Sequence, residues 1–116
     1  MKLIIAGGRK FLDYELLKKE VDKIVAEAID EIIIVSGMAR GADALGVKYS
    51  EDNNLPLRKF PADWNRYGKS AGYRRNEEMA AYGDTCICFW DSKSKGTGHM
   101  IDLAKKHGLK LNVVIY

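Results

Sequence analysis

Five short apolar segments occur along the chain, and a longer segment of mixed polarity separates each from the next. The apolar segments cover residues 3–6, 32–35, 55–60, 86–90 and 111–116. Most are apolar at consecutive positions, which is typical of strands covered on both faces of a parallel sheet. We therefore predict five strands. Pro56 interrupts the third, and a proline within a strand predicts a position at the sheet edge.

The segments between the strands predict helices. Leu17, Val21 and Ile24 follow Asp13 at spacings of three and four residues, which indicates one apolar stripe on an amphipathic helix. Further helices are predicted over residues 42–52, 72–81 and 98–107. Residues 61–70 are predicted to form the longest irregular segment, and loops of this length tend to be functional.

The regular alternation of strands and helices predicts an α/β fold. We expect a single Rossmann-like three-layer domain over residues 1–116, with a five-stranded, mainly parallel sheet joined by right-handed crossovers. A chain of 116 residues suits one domain. In such sheets ligands bind beyond the carboxyl ends of the strands, where the strand order reverses. The function is therefore expected at that edge.

The composition is that of a globular protein, with 47% hydrophobic and 30% charged residues. No apolar run approaches the roughly 20 residues of a membrane helix, and the apolar segment after Lys2 is too short for a signal-peptide core. We expect a cytoplasmic protein without membrane contact. The net charge of +3 suits a small anionic ligand and is low for a dedicated nucleic-acid binder.

The two cysteines, Cys86 and Cys88, lie two residues apart in a predicted strand. Their side chains should therefore point to the same face of the sheet, where they cannot easily form a disulfide with one another. A second pair of metal ligands at a diagnostic spacing is missing, so no metal site is predicted. We expect two buried free thiols that pack as small hydrophobes.

Glycines, cations, hydroxyls and aromatic rings collect at the predicted carboxyl ends of the strands. This is the chemistry of a nucleotide site, in which backbone amides hold a phosphate, an aromatic ring stacks on the base and a carboxylate holds the ribose. The residues predicted to bind the ligand are Gly7, Gly8, Arg9, Ser36, Gly37, Arg40, Gly41, Asp43, Asp63, Trp64, Arg75, Trp90, Lys95, Gly96, Thr97 and Gly98.

Two glycine-containing turns are predicted to hold the anion from two sides. The first covers residues 36–43, where Gly37 and Gly41 can adopt backbone angles closed to other residues. The helix after it presents unpaired N–H groups and the positive end of its dipole. The second covers residues 95–98, where Gly96 is expected to wrap a phosphate before a helix begins at Gly98.

Each of these residues also has a purely structural interpretation. The glycines can serve tight turns, the arginines can be solvated, and the tryptophans can pack in the core. Asp43 can stabilise the dipole of its own helix, and Thr97 is expected to be the N-cap of the last helix. Arg74 and Arg75 oppose the dipole of the helix that they begin, which either a bound anion or carboxylates such as Glu77 would relieve.

Three functions fit these residues. The first is a module that binds a nucleotide or nucleotide-derived ligand, without a cofactor. The second is a nucleotide-cleaving enzyme, although no nucleophile–base pair or metal cluster of diagnostic spacing supports it. Its acid or base would come from Asp43, Asp63, Asp91 or His99. The third is binding of single-stranded nucleic acid, with Trp64 and Tyr67 stacking on bases between Arg66 and Lys69.

Five motifs occur in order along nearly the whole chain: Ile5-Ala6-Gly7-Gly8-Arg9, Ser36-Gly37-Met38-Ala39-Arg40-Gly41-Ala42-Asp43, Phe60-Pro61-Ala62-Asp63-Trp64, Arg74-Arg75-Asn76 and Ser94-Lys95-Gly96-Thr97-Gly98-His99-Met100-Ile101. This set resembles the bacterial and phage YspA-like branch of the SLOG superfamily, which groups the Smf DNA-processing proteins with the LOG-type cytokinin-activating phosphoribohydrolases.

The resemblance implies a Rossmann-like fold with a site for nucleotides or nucleotide-derived ligands. It makes a phosphoribohydrolase the specific form of the enzyme alternative, and it implies a homodimer because such relatives commonly self-associate. The LOG-type motif continues to a catalytic glutamate about where this chain has His99 and Met100. The resemblance to the DNA-processing proteins lies at residues 36–43 and 74–76.

Overall fold

Five strands form one sheet in the order β3-β2-β1-β4-β5, and every neighbouring pair is parallel. The strands are β1 (Lys2–Gly7), β2 (Ile33–Ser36), β3 (Leu57–Lys59), β4 (Thr85–Trp90) and β5 (Lys110–Ile115). The computed structural model describes every residue from Met1 to Tyr116. The α/β, Rossmann-like prediction is confirmed, and the strand that follows Pro56 lies at an edge of the sheet as predicted.

Helices connect the strands on both faces of the sheet. They are α1 (Tyr14–Ala26), α2 (Ala42–Asp52), α3 (Trp64–Tyr67), α4 (Ala71–Tyr82) and α5 (Lys95–Lys106), and a 3-10 helix covers Gly68–Ser70. Asp13 caps α1 as the sequence pattern indicates, because its carboxylate accepts a hydrogen bond of 3.1 Å from the N–H of Leu16. No helix combines the length and the apolar character required to cross a bilayer.

Two predictions about local structure are wrong. Residues 61–70 are not irregular throughout, because the carboxylate of Asp63 accepts a hydrogen bond from the N–H of Arg66 and starts α3. Helix α5 begins at Lys95 instead of Gly98, and its N-cap is Ser94 instead of Thr97. The Ser94 hydroxyl accepts a hydrogen bond of 3.4 Å from the N–H of Thr97. Residues 95–98 are therefore the first turn of a helix.

The core has one layer on each face of the sheet. Ile4, Cys86 and Cys88 face α4 and α5, where they pack with Met79 and Met100. On the opposite face, the buried strand residues pack against α1 and α2, and this layer contains Leu3, Ile5, Ile34, Ile87, Phe89, Leu17, Val21 and Tyr49. The two thiols lie on the same face, both buried and free, with their Sγ atoms 3.6 Å apart. This confirms the predicted three layers.

The strand order reverses between β1 and β4. From β1 the chain proceeds outwards to β2 and β3, and then returns to place β4 on the other side of β1 and β5 beyond it. Helices that leave β1 and β4 therefore diverge to opposite faces, which opens a crevice at the carboxyl ends of these two strands. Any ligand site of the usual doubly wound type lies there.

Strand β5 forms the other edge of the sheet. Its side chains Val113 and Ile115 are 39% and 58% exposed. Apolar side chains on an open edge strand offer a surface for association. The homodimer stays a prediction.

Gly41 has a backbone conformation that other residues rarely adopt, with φ of 76° and ψ of −129°. It brings the chain so close to the end of β1 that the N–H of Ala42 donates a hydrogen bond of 3.2 Å to the carbonyl of Gly8. The corresponding expectation for Gly37 is wrong, because the positive φ of this turn belongs to Met38, at 65°. Gly37 is required for a close contact described below.

We expect Gly41→Ala to destabilise the fold much more than Gly68→Ala. The two glycines share nearly the same backbone angles, since Gly68 has φ of 56° and ψ of −133°. A Cβ at Gly68 has no atom within 4 Å, so only the backbone strain of about 1–3 kcal/mol applies. A Cβ at Gly41 would lie 2.2 Å from the carbonyl oxygen of Gly8. Urea unfolding of both variants measures the difference, and equal losses would contradict the close packing at Gly41.

Candidate functional site

A cavity of about 460 Å³ opens at the carboxyl ends of β1 and β4. This volume falls in the range of small-molecule sites, and the position is the crevice where the strand order reverses. The cavity walls come from the segment after β1, from α4 and from the start of α5. The predicted residues that line it are Gly7, Gly8, Arg9, Asp43, Trp64, Arg75, Asp91, Gly96 and Thr97.

The charges around this cavity favour an anion. Four cationic side chains line it, namely Arg9, Lys10, Lys69 and Arg75, against the two carboxylates of Asp43 and Asp91. Arg9, Lys10, Lys69 and Asp91 are exposed, whereas Asp43 is only 5% exposed. An anionic ligand would therefore meet mobile cations at the mouth of the cavity.

The N-terminus of α5 forms one wall. Ser94, Gly96 and Thr97 line the cavity, and the first N–H groups of an α-helix have no partner within the helix. The N–H of Thr97 is capped by Ser94, which leaves that of Gly96 for a ligand in this cavity. A Cβ at Gly96 would meet no atom within 4 Å. The space in front of this helix terminus is open, and the helix dipole favours an anion there.

Asp91 shapes the turn between β4 and α5. Its Oδ1 accepts hydrogen bonds from the N–H groups of Ser94, at 2.8 Å, and Lys93, at 2.9 Å. These two bonds lower the pKa of the exposed Asp91 carboxyl. The carboxylate is thus ionised and fixed beside the helix terminus, where it can accept hydrogen bonds from ligand hydroxyl groups.

The turn over residues 36–43 satisfies much of its own backbone. The Ser36 hydroxyl donates to the carbonyl of Asp43 and accepts from the N–H of Met38, both at 3.1 Å. Asp43 Oδ2 accepts a hydrogen bond of 3.3 Å from the N–H of Ala39. Ser36 and Gly41 do not line the cavity. This turn therefore supports the site by its internal bonding, whereas the predicted phosphate contacts through its glycines remain predictions.

Asp43 is the buried carboxyl of the site. Burial raises its pKa to about 6, although the Arg75 guanidinium, the N–H of Ala39 and the Arg9 guanidinium each favour the charged form. The carboxyl therefore changes its charge close to neutral pH. Because it lines the cavity, a proton on Asp43 also changes what the cavity presents to a ligand.

Arg75 and Asn76 connect three parts of the site. The Arg75 guanidinium donates to the carbonyl of Gly37 and, through Nε at 3.0 Å, to Asn76 Oδ1. The Asn76 amide nitrogen donates to the carbonyl of Gly96 at 3.4 Å and contacts His99 Nδ1 at 3.3 Å. The turn after β2, the helix α4 and the start of α5 are therefore joined by two adjacent side chains.

Gly37 is the residue that permits this connection. A Cβ at Gly37 would lie 2.6 Å from Arg75 Nη1 and 2.8 Å from Asp43 Oδ2. The sequence analysis also allowed the two arginines at the start of α4 to pair with carboxylates. Neither of them forms an ion pair. Arg74 instead lies over the ring of Tyr67, with its guanidinium carbon 4.4 Å from the ring centre.

Trp64 provides an exposed aromatic face at the cavity. Its side chain is 50% exposed, and the Arg9 guanidinium carbon lies 5.8 Å from the ring centre. The guanidinium groups of Arg66 and Arg74 both lie within about 5 Å of the centre of the Tyr67 ring, at 5.0 and 4.4 Å. Trp64 is therefore the more accessible of the two rings on which bases were predicted to stack. Binding of single-stranded nucleic acid stays a prediction.

Several predicted residues lie outside the large cavity. Asp63 caps α3, and Trp90 donates its indole N–H to the carbonyl of Ser94 at 3.0 Å while packing on the core. Gly37 and Arg40 border a second, smaller cavity. Trp90, Lys95, Gly98 and His99 line a separate shallow surface on the outer side of α5.

The sequence patterns missed part of the cavity wall. The missed residues are Ala6, Lys10, Ala39, Gly72, Tyr73, Asn76, Met79, Ser94, Met100 and Tyr116, whereas Lys69 was named only for the nucleic-acid alternative. Asn76 and Ser94 belong to the quoted motifs and could have been proposed from them. Tyr116 has no local signal, because it reaches the cavity only through the pairing of β5 with β4.

No group of three or more His, Cys, Asp or Glu side chains is arranged to hold a metal ion. Of the four candidate catalytic residues, Asp43 and Asp91 line the large cavity. His99 contacts Asn76 and the edge of the Tyr73 ring, and its ring belongs to the shallow surface on α5.

Comparison with known proteins gives a consistent assignment. Residues 1–67 match the model of the YspA, cpYpsA-related SLOG family. The chain is also similar to the Gene 61 protein of Mycobacterium phage D29, with 31% identity over 114 residues. That alignment covers 93% of this chain and 91% of the phage protein. No solved structure matches the chain significantly.

We expect Asp43→Asn to change how stability depends on pH. The pKa of Asp43 is raised to about 6 in the folded protein, so the protonated carboxyl favours folding below about pH 4. That contribution is lost as the pH rises through 6. The free energy of unfolding of the variant, relative to that of the wild type, should therefore rise by up to roughly 3 kcal/mol between pH 4 and pH 7.5. Each unit of pKa shift corresponds to about 1.4 kcal/mol.

Urea unfolding at several pH values measures this difference, with Asp102→Asn as the control. Asp102 is an exposed carboxylate on α5 and lies outside the large cavity. Its variant should follow the wild type at every pH. A difference between Asp43→Asn and the wild type that is the same at pH 4 and pH 7.5 would contradict the raised pKa.

Proposed function

Because the chain belongs to the YspA, cpYpsA-related SLOG family, we propose that the large cavity binds a nucleotide or a nucleotide-derived ligand. The observation that carries the proposal is the position of this cavity. It lies at the reversal of strand order, and the open N-terminus of α5 and an excess of cationic side chains face it. Phosphate groups bind at such helix termini.

The phosphate, the base and the ribose of the proposed ligand would each contact different residues of the cavity. A phosphate would accept a hydrogen bond from the N–H group of Gly96, and the Arg9 and Lys69 cations line the same cavity. The base would lie against an aromatic ring, for which Trp64 has the exposed face. The ionised Asp91 carboxylate is suited to the ribose hydroxyl groups.

A nucleotide-cleaving hydrolase of the phosphoribohydrolase type is the second candidate, and Asp43 supports it. A buried carboxyl with a pKa of about 6 on the cavity wall is suited to general acid or base catalysis, because its pKa lies close to neutral pH and both protonation states are accessible. Incubation with nucleoside monophosphates followed by detection of free base tests cleavage. Release of free base by the wild type that is lost in Asp43→Asn would support cleavage. Nucleotides that stay intact would leave ligand binding as the proposed function.

We expect a library of nucleotides to contain a member that stabilises the protein and whose binding depends on Arg9. A ligand at 100 times its dissociation constant raises the free energy of unfolding by about 2.7 kcal/mol, which thermal unfolding detects. Arg9→Ala should weaken binding by about 1.5–3 kcal/mol, the typical contribution of a hydrogen bond to a charged group. Calorimetry with the best ligand measures this loss.

Arg58→Ala is the matched control for Arg9→Ala. Arg58 is another exposed arginine beside an aromatic ring, and it lines neither cavity. Its replacement should leave the affinity within about twofold, because surface substitutions away from a site rarely change more. Stabilisation by no nucleotide, or equal losses in both variants, would refute the proposed site.

We also expect Gly96→Val to abolish binding without loss of stability. Gly96 is helical, and a Cβ there enters open space beside the cavity, so the isopropyl group would occupy the volume in front of the helix terminus. The free energy of unfolding should stay within about 1 kcal/mol, because valine has a better helix propensity than glycine. Urea unfolding and calorimetry on the same sample measure both quantities.

The control is Gly98→Ala in the same helix turn. Its Cβ would lie 3.5 Å from the Trp90 ring, an ordinary contact outside the large cavity. This variant should bind as the wild type does. Retained affinity in a folded Gly96→Val protein would remove the N-terminus of α5 from the proposed phosphate site.

A further inference from the structure

The second cavity adjoins the first. It has a volume of about 290 Å³, and it shares the lining residues Arg9, Ala39, Trp64 and Arg75 with the large cavity. The rest of its wall comes from the turn after β2 and from Pro61 and Ala62 before α3. The two cavities are therefore neighbouring lobes on either side of the Arg9 and Trp64 side chains.

The charges of the second cavity differ from those of the first. Three arginines line it, Arg9, Arg40 and Arg75, and none of its lining residues is acidic. Arg75 is engaged with Gly37 and Asn76, but Arg40 is exposed and forms no ion pair or side-chain hydrogen bond. An exposed arginine without a carboxylate partner, such as Arg40, suits the planar, multidentate recognition of phosphate oxygens.

The backbone also presents Arg40 to this cavity in a defined way. Met38 adopts a φ of 65°, an angle that a non-glycine residue adopts only when its surroundings enforce it. The N–H groups of Met38 and Ala39 in this turn donate hydrogen bonds to the side chains of Ser36 and Asp43. The segment before Arg40 is therefore held in place, and a bound phosphate would have to order little more than the arginine side chain.

We propose that the second cavity is a subsite for a second phosphoryl group, so that the ligand is a nucleotide carrying at least two phosphates. One phosphate lies at the N-terminus of α5 in the first cavity and the other lies with Arg40 in the second. This inference rests on the proposed nucleotide site. The part of the ligand between them crosses the boundary of the two cavities, which Arg9 and Arg75 both line.

Calorimetric titration of a matched ligand series tests the subsite. The series contains a nucleoside 5′-monophosphate, the 5′-diphosphate, the 5′-triphosphate and the 3′,5′-bisphosphate of the same base. The wild-type protein should bind at least one of the multiply phosphorylated members about ten- to a hundredfold more tightly than the monophosphate, since one added charge-assisted contact has that effect. Arg40→Ala should lower this ratio of affinities at least tenfold.

Arg58→Ala serves as the control, because it removes an exposed arginine that borders neither cavity. Its ratio of affinities should equal that of the wild type, and Arg40→Lys should keep part of the preference. A wild-type protein that binds the monophosphate with no gain from a second phosphate would overturn the subsite and leave the proposed function intact. An Arg40→Ala protein with the wild-type ratio of affinities would likewise overturn the subsite and leave the proposed function intact. Binding of no member would refute both.

Discussion

The contacts of the Arg75 side chain hold the carboxyl edge of the sheet together. A guanidinium group that leaves water must find acceptors for its fixed set of donors, or its burial is strongly unfavourable. Here the acceptors are the carbonyl of Gly37 and the side chain of Asn76, and the Asp43 carboxyl lies close by. The glycine at position 37 is necessary because any side chain would occupy the place of the guanidinium. The shared wall between the two cavities is therefore a polar network, with little freedom to rearrange.

Strands β1, β2 and β4 were predictable because each is a mostly apolar segment that needs no information from elsewhere in the chain, whereas β3 carries the charged residues Arg58 and Lys59. The boundaries of the last helix were not predictable. Gly96 and Gly98 are poor helix formers and predicted a turn, yet the Ser94 hydroxyl caps the N–H of Thr97 and the helix begins before both glycines. The short helix α3 has the same origin, since a single aspartate cap at residue 63 outweighs a segment rich in polar residues.

The candidate site was predictable where it follows β1 and β4, because Arg9, Asp91 and Gly96 come directly after or near the ends of these strands. Tyr73 and Tyr116 reach the cavity only through the packing of α4 and the pairing of β5. The sequence near these two residues contains no pattern that predicts either contact. The turn at 36–43 carries the composition of a phosphate loop. Its Met38 and Ala39 amides are nevertheless bonded to Ser36 and Asp43, a feature that composition alone does not encode.

The two buried thiols next to the site allow local opening of the structure to be measured by their rate of reaction with a thiol reagent. Cys86 and Cys88 are fully buried in β4, a central strand, with α4 and α5 packed over them. A thiol reagent reaches them only when that layer separates from the sheet, so their rate of labelling records the local opening of the structure. Because the same two helices carry Asn76 and Gly96, a ligand held between these helices would slow that labelling. The cysteines thus allow occupancy of the cavity to be followed without any added probe in the chain.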